Sequence, residues 1–198
     1  MIRALAIFSA LIWLLASTCE AELEWIFHPR VPGIDGPSPA YVTATLDSGH
    51  IRYVPPHGWL VSGSRFIPPG KIEADAFAEA VPIKGPGTWT ADRAKALHSY
   101  VLARMVPKDA TDATILSEGV MPIEIAEQTS YEICFTYGLY GQAYIESVVF
   151  TELGNTRLQF HFGCLRDDFS ALHPVFTRSL RTVQGIDDPI ELARGLVR

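Results

Sequence analysis

The chain has 198 residues, 48% of them hydrophobic and 19% charged, and a formal net charge of −6. No Lys/Arg-rich run occurs in it, which argues against a nucleic-acid or anionic-membrane partner. It carries no low-complexity tract and no repeat with a period of roughly 20–50 residues.

The first residues read MIRALAIFSALIWLLASTCEA. Arg3 supplies a positive start, Ala4 to Ala16 is apolar, and Cys19 and Ala21 place small side chains at −3 and −1 of a cleavage site. That is the pattern of a secretory signal peptide over residues 1–21, too short for the ~20 residues of a spanning helix. The expected mature protein is exported to the periplasm or beyond and begins at Glu22. A lipoprotein acylated on Cys19 is the weaker reading, because Ala16 and Thr18 fit its cleavage motif poorly. Residues 22–39 form an N-terminal segment with a Pro/Gly-rich arm, "PRVPGIDGPSP". Residues 40–198 are of a length expected for one domain.

ELEWIFH, at 22–28, reads as a short first strand. "AYVTATL" and "HIRYV" flank "DSG" and predict a hairpin. WLVSGSRFI reads as one further short strand. In "KIEADAFAEAV" Ile72, Ala74, Ala76, Ala78 and Ala80 alternate with Glu73, Asp75, Phe77, Glu79 and Val81, so a strand is expected, with its acids on a solvated face, although the alanines would also suit a helix. "TWTADRAKALHSYVLARMVP" predicts a helix over 90–106, with Thr90 as N-cap, Asp92 in the first turn and Pro107 as stop. Ala94, Leu97, Val101 and Met105 form its apolar stripe, with His98 on the flank as a partly exposed histidine. "KDATDAT" reads as a polar turn and lacks the ligand pattern of a calcium loop.

"SYEICFTY", "QAYIESVVFTEL" and "TRLQFHFGC" are β-rich runs joined by Gly138–Gly141 and by Gly154-Asn155, and predict an antiparallel meander. A helix over 168–184 follows, capped by Asp167 or Asp168, with Phe169, Leu172, Phe176, Leu180 and Val183 in its seam. Pro174 is expected to kink or restart it. A last short helix is expected at 188–197, with Asp188 as N-cap and Glu191 closing a capping box.

His161 and Cys164 look at first like a dyad or half of a metal site. Alternation along a strand separates them: Leu158, Phe160, Phe162 and Cys164 share one face, and His161 lies on the other. They cannot form one site, and Cys164 reads as a small buried hydrophobe. The turn at Gly154-Asn155 sets Ile145 opposite Cys164. A second turn centred on Leu139-Tyr140 sets Ile145 opposite Cys134. The two cysteines then lie two strands apart, roughly 10 Å, beyond the ~7 Å limit of a disulfide. Two free thiols are expected.

On this register Leu158, Phe160, Phe162, Ile145 and Val149 line one face, and Tyr131, Ile133, Phe135, Val148 and Phe150 the other. Both faces are apolar and need covers, for which the helices at 90–106 and 168–184 are available, the N-terminal hairpin extending the sheet. The expected fold class is α+β: an antiparallel β-sheet covered by helices on both faces. A strand ending in "VPPHGW", a helix, the meander "SYEICFTYGLYGQAYIESVVFTELGNTRLQFHF" and then "DDFSALHPVFTRSLRTV" resemble the PsbP-type α/β/α sandwich family over roughly residues 40–184. That family includes the extrinsic photosystem II protein and exported bacterial relatives. The resemblance implies an accessory or binding role and carries over no site residue.

No G-x-S-x-G, H-E-x-x-H, C-x-x-C or Gly-rich phosphate loop occurs. His50 and His57 near Asp47 are the least implausible metal ligands, but their spacing is loose. No catalytic, cofactor-binding or metal residue is assigned. The expectation is a non-catalytic envelope protein that binds an unknown protein or small ligand; the rival is a secreted hydrolase whose site forms only on folding.

Overall fold

The computed structural model describes residues 21–30, 39–47 and 49–186. The expected signal peptide up to residue 20, most of the Pro/Gly arm and the helix at 188–197 lie outside the described residues.

In chain order the elements are β1 (Ala21–Glu22), β2 (Ile26–His28), β3 (Tyr41–Leu46), β4 (Gly49–Tyr53), β5 (Leu60–Ser62), β6 (Arg65–Ile67), β7 (Asp75–Pro82) and α1 (Ala91–Arg104). There follow β8 (Thr111–Ile125), β9 (Gln128–Leu139), β10 (Gln142–Leu153), β11 (Thr156–Leu165), α2 (Arg166–Leu180) and β12 (Gln184–Ile186). They form mostly antiparallel β-sheet with two helices. The large sheet runs β5-β6-β7-β11-β10-β9-β8, with β1 also on β7, and the smaller runs β12-β4-β3-β2.

The meander forms as its turns dictate. Leu153 pairs with Thr156 and Ile145 with Cys164. The other turn lies one residue later than expected: Leu139 pairs with Gln142, and Tyr140-Gly141, both at positive φ, make the corner. Glycine takes that backbone without cost, so Gly141 draws the turn toward itself. Cys134 therefore faces Ser147 rather than Ile145. The shift moves pairing by two residues, so every side chain keeps its expected face.

Four other expectations need correction. The hairpin of β3 and β4 does not extend the large sheet; with β2 and β12 it builds the second sheet. ELEWIFH divides between the two sheets, β1 pairing with β7 and β2 with β3. WLVSGSRFI is a hairpin of β5 and β6 that turns at Gly63, φ +60°. "KDATDAT" opens β8, a 15-residue strand. β8 is an edge strand, mostly exposed and with three register shifts against β9, so it lacks the clean alternation that marks a half-buried strand.

Residues 75–82 are a strand, and the buried Ala74, Ala76 and Ala78 have a packing reason. They share a core with the bulky Trp25, Tyr53 and Phe66, and small against large fills the space between layers. The same core holds Val149, Leu158, Phe160, Phe162 and Cys164, with Phe176, Leu180 and Val183. Tyr131, Ile133, Phe135, Val148 and Phe150 form a second core with Leu97 and Val101 of α1. Thr90 caps α1, its hydroxyl accepting from the Arg93 N–H.

α2 starts directly from β11 at Arg166 with no side-chain cap, and Asp167 and Asp168 sit in its first turn, where the helix dipole favours them. Pro174 lies inside the continuous helix. Tyr53 Oη and Ser179 Oγ, 2.7 Å apart, join its end to β4.

The β8–β9 turn is strained. Ala126 and Glu127 stand at φ +51° and +61°, a two-residue hairpin corner of the kind that favours Asn-Gly. Left-handed backbone costs a side-chain-bearing residue roughly 1–2 kcal/mol. Glu127→Gly should therefore stabilise the protein by about 0.5–1 kcal/mol after glycine's own entropy cost. A denaturant melt with a midpoint unchanged or lowered would contradict this.

Candidate functional site

Three polar constellations stand out. The first is a groove of about 480 Å³ lined by Pro86, Gly87, Thr88, Trp89, Val120, Gln128, Thr129 and Glu152. The segment before α1 builds one wall. Trp89 donates its indole N–H to Thr129 O at 2.9 Å, and Arg93 lies over the ring, 4.5 Å from its centroid. Arg93 also donates to Gly87 O at 2.5 Å and to Glu152 Oε1. Glu152 Oε2 accepts from the Gly87 N–H at 2.9 Å. The groove's carboxylate is thus buried and already paired, while Val120 remains 54% exposed.

The second is a cavity of about 140 Å³ lined by Phe77, Glu79, Arg104, Met105, Glu146 and His161. His161 is 3% exposed and stacks on Phe77 with centroids 4.3 Å apart. Glu79 Oε2 stands 3.3 Å from Nε2, and Glu146 Oε1 stands 3.6 Å from Nδ1. Neither ring nitrogen has an aligned hydrogen bond. Burial acts to lower the imidazole pKa, but Glu146 and Glu79 outweigh it and raise the value above the ordinary 6.5.

The third lies between β9 and α2. Glu132, Cys134 and His173 each offer a donor atom, and these atoms lie within 4.8 Å of one another. His173 Nε2 is 2.7 Å from Glu132 Oε1, which also accepts from Ser147 Oγ at 2.5 Å. Burial opposes ionisation of Glu132, yet the bonds from His173 and Ser147 hold its carboxyl below the usual range.

Among known proteins, no family model matches the chain, and no curated protein matches it. Solved structures do. Cyanobacterial PsbP (CyanoP) from Synechocystis sp. PCC 6803 superposes with TM-score 0.50 at 13% identity, covering 78% of this chain and 96% of that one. The fold is PsbP-like. A Pseudomonas aeruginosa protein of unknown function, described as a putative regulator, matches with TM-score 0.45 at 14% identity over 72% and 94% of the two chains.

The PsbP-like frame scatters the residues picked out by sequence. His50 sits on β4 with Nδ1 3.2 Å from Thr45 Oγ1, and His57 is exposed in a turn. His98 is half-buried, its Nδ1 2.9 Å from Glu118 Oε2. Glu73 is exposed and Asp75 pairs with Arg65, whereas Glu79 turns from the expected solvated face toward His161. His161 and Cys164 lie on opposite faces. Sequence reasoning missed Glu146, Glu132, His173 and Trp89. For Glu132 a signal was present, since Glu132 and Cys134 alternate on one strand face.

Cys134 and Cys164 are free and buried. Burial first, then Glu132 for one and Asp168 for the other, pushes both thiols up to about 12. Neither is a nucleophile near neutral pH. Both should resist alkylation in the native protein and label fully in denaturant without reductant. Labelling that required a reductant would show that they are bonded.

Proposed function

We propose that this protein is an exported accessory or binding protein of the cell envelope with no catalytic activity of its own. In this reading residues 1–21 are a signal peptide, 22–39 an N-terminal arm, and 40–198 one α/β/α sandwich domain with a helix on each face of the large sheet. The groove beside Trp89 carries the reading. Its volume falls in the ~300–1,000 Å³ range of ligand sites, its walls include Trp89, Val120 and Pro86, and its carboxylate is neutralised by Arg93. Such a site binds apolar surface and has no free acid or base to do chemistry. The PsbP-like fold and the described residues, in which no helix is long and apolar enough to cross a membrane, agree with this role.

A secreted hydrolase is the second reading, favoured by the convergence of Glu79, Glu146 and His161. Against it stand a cavity of about 140 Å³, well below the size of ligand sites, and an imidazole sealed behind Phe77. The test is nuclear magnetic resonance of the mature protein titrated with pools of short peptides and oligosaccharides, alongside turnover of ester, phosphoester and peptide substrates. Shifts at Trp89, Val120 and Gln128 without turnover are expected. Turnover abolished by Glu79→Gln or Glu146→Gln, with the melt preserved, would establish the hydrolase instead. For export, mass spectrometry of the envelope fraction should find Glu22 as the first residue; a diacylglyceryl mass on Cys19 would replace this with the lipoprotein.

A further inference from the structure

We propose that Glu132, Cys134 and His173 form a binding site for a divalent cation of the zinc class. The site is independent of the groove and of the binding role proposed for it. Glu132 and Cys134 are two residues apart on β9, so both project from the same face, and α2 brings His173 across to meet them. The donor atoms lie within 4.8 Å of one another, near enough for side-chain rotations to bring them to the roughly 3.3–3.6 Å between ligands of one tetrahedral ion.

The donor set selects the metal. One sulfur, one imidazole nitrogen and one carboxylate oxygen suit the borderline-soft Zn²⁺ and its tetrahedral preference. Hard ions such as Ca²⁺ and Mg²⁺ want oxygen alone. Three protein ligands leave a fourth position for water or for an atom of a bound partner.

The surroundings hold the ligands in place, as supporting residues do in metal sites. Ser147 Oγ donates to Glu132 Oε1 and fixes the carboxylate. Phe169 stacks on the His173 ring at 4.5 Å and 15°, which fixes the imidazole plane. Glu132 and His173 are each about one-fifth exposed, so an ion can enter between them, while Cys134 forms the floor at 5% exposure. The hydrogen-bonded pair must adjust as well. The 2.7 Å hydrogen bond from His173 to Glu132 must open to the ~3.3 Å that separates two ligands on a tetrahedral zinc. Small side-chain rotations provide that. The thiol releases its proton as the ion binds.

The experiment titrates the untagged mature chain with Co²⁺ and, by calorimetry, with Zn²⁺. Expected are one ion per chain and a thiolate-to-cobalt charge-transfer band in the near ultraviolet. Cys134→Ser should abolish the band and Cys164→Ser should retain it. His173→Gln, on a helix surface where folding is easily checked by circular dichroism, should weaken Zn²⁺ binding at least tenfold. Ser147→Ala should weaken it about 10-fold through the carboxylate it orients. No charge-transfer band, a band that survives in Cys134→Ser, or Zn²⁺ affinity unchanged in folded His173→Gln would each overturn the site.

Discussion

Phe162→Ala should destabilise the protein by about 3–5 kcal/mol, the range for a large aromatic side chain truncated in a core. Phe162 is 0% exposed and sits where three elements meet. Its ring lies 5.9 Å from Trp59, 6.1 Å from Phe169 and 5.2 Å from Phe176. Truncation opens a cavity between the large sheet and α2 that neither the strand nor the helix can close without breaking pairing. Against a typical total stability of about 5–15 kcal/mol, the variant would be close to unfolding in mild denaturant. Phe162→Leu keeps most of the volume and should cost less than about 1.5 kcal/mol. A melt in which Phe162→Ala cost under 1 kcal/mol would remove Phe162 from the centre of the core.

The position of Phe162 was legible in the sequence because a strand has a period of two. One turn, Gly154-Asn155, fixed the register of β10 and β11, and alternation assigned every face. The turn at Tyr140-Gly141 was misplaced by one residue because two glycines bracket it, and the local sequence does not say which of them takes positive φ. β8 was missed for a different reason. An exposed, bulged edge strand has no buried face to impose alternation, so its residues read as loop.

The second sheet was illegible because the pairing of β12 with β4 joins residues 184–186 to 50–52, and no local pattern records a contact across such a distance. The same limit hid the polar constellations. Glu79 and His161 meet because β7 and β11 are neighbours in the sheet, and His173 reaches Glu132 only after α2 folds back over β9. Within each segment those residues looked like surface acids and solitary histidines.

The consequence is clearest at His161, where the loss of one neutral hydrogen bond would cost only about 1 kcal/mol on replacement by Gln. The structure raises that figure and makes it depend on pH. Removing one member of a buried charge cluster leaves the others uncompensated, at 3–5 kcal/mol when burial is complete. Glu79 and Glu146 keep 21% and 14% side-chain exposure, so solvent screens part of this, and about 2–3 kcal/mol is expected at pH 6. The groups facing the ring are Glu79, Glu146 and Arg104, with Phe77 stacked on it and Met105 beside the cavity. Without the imidazolium the two carboxylates lose the charge that lies between them, and a Gln amide can donate well to only one of them. The folded pKa of His161 lies above the unfolded 6.5, so its stabilising charge is fully present below 6.5 and is lost as pH rises through the folded value. As pH rises through that folded value the wild type also comes to present a neutral ring to the two acids, and the penalty for His161→Gln should shrink toward the ~1 kcal/mol of a lost neutral contact. Denaturant melts of both proteins in a pH series rising from pH 6 measure this difference. A penalty that grew with pH would mean that His161 is neutral in the folded protein and that its carboxylate neighbours do not hold a proton on the ring.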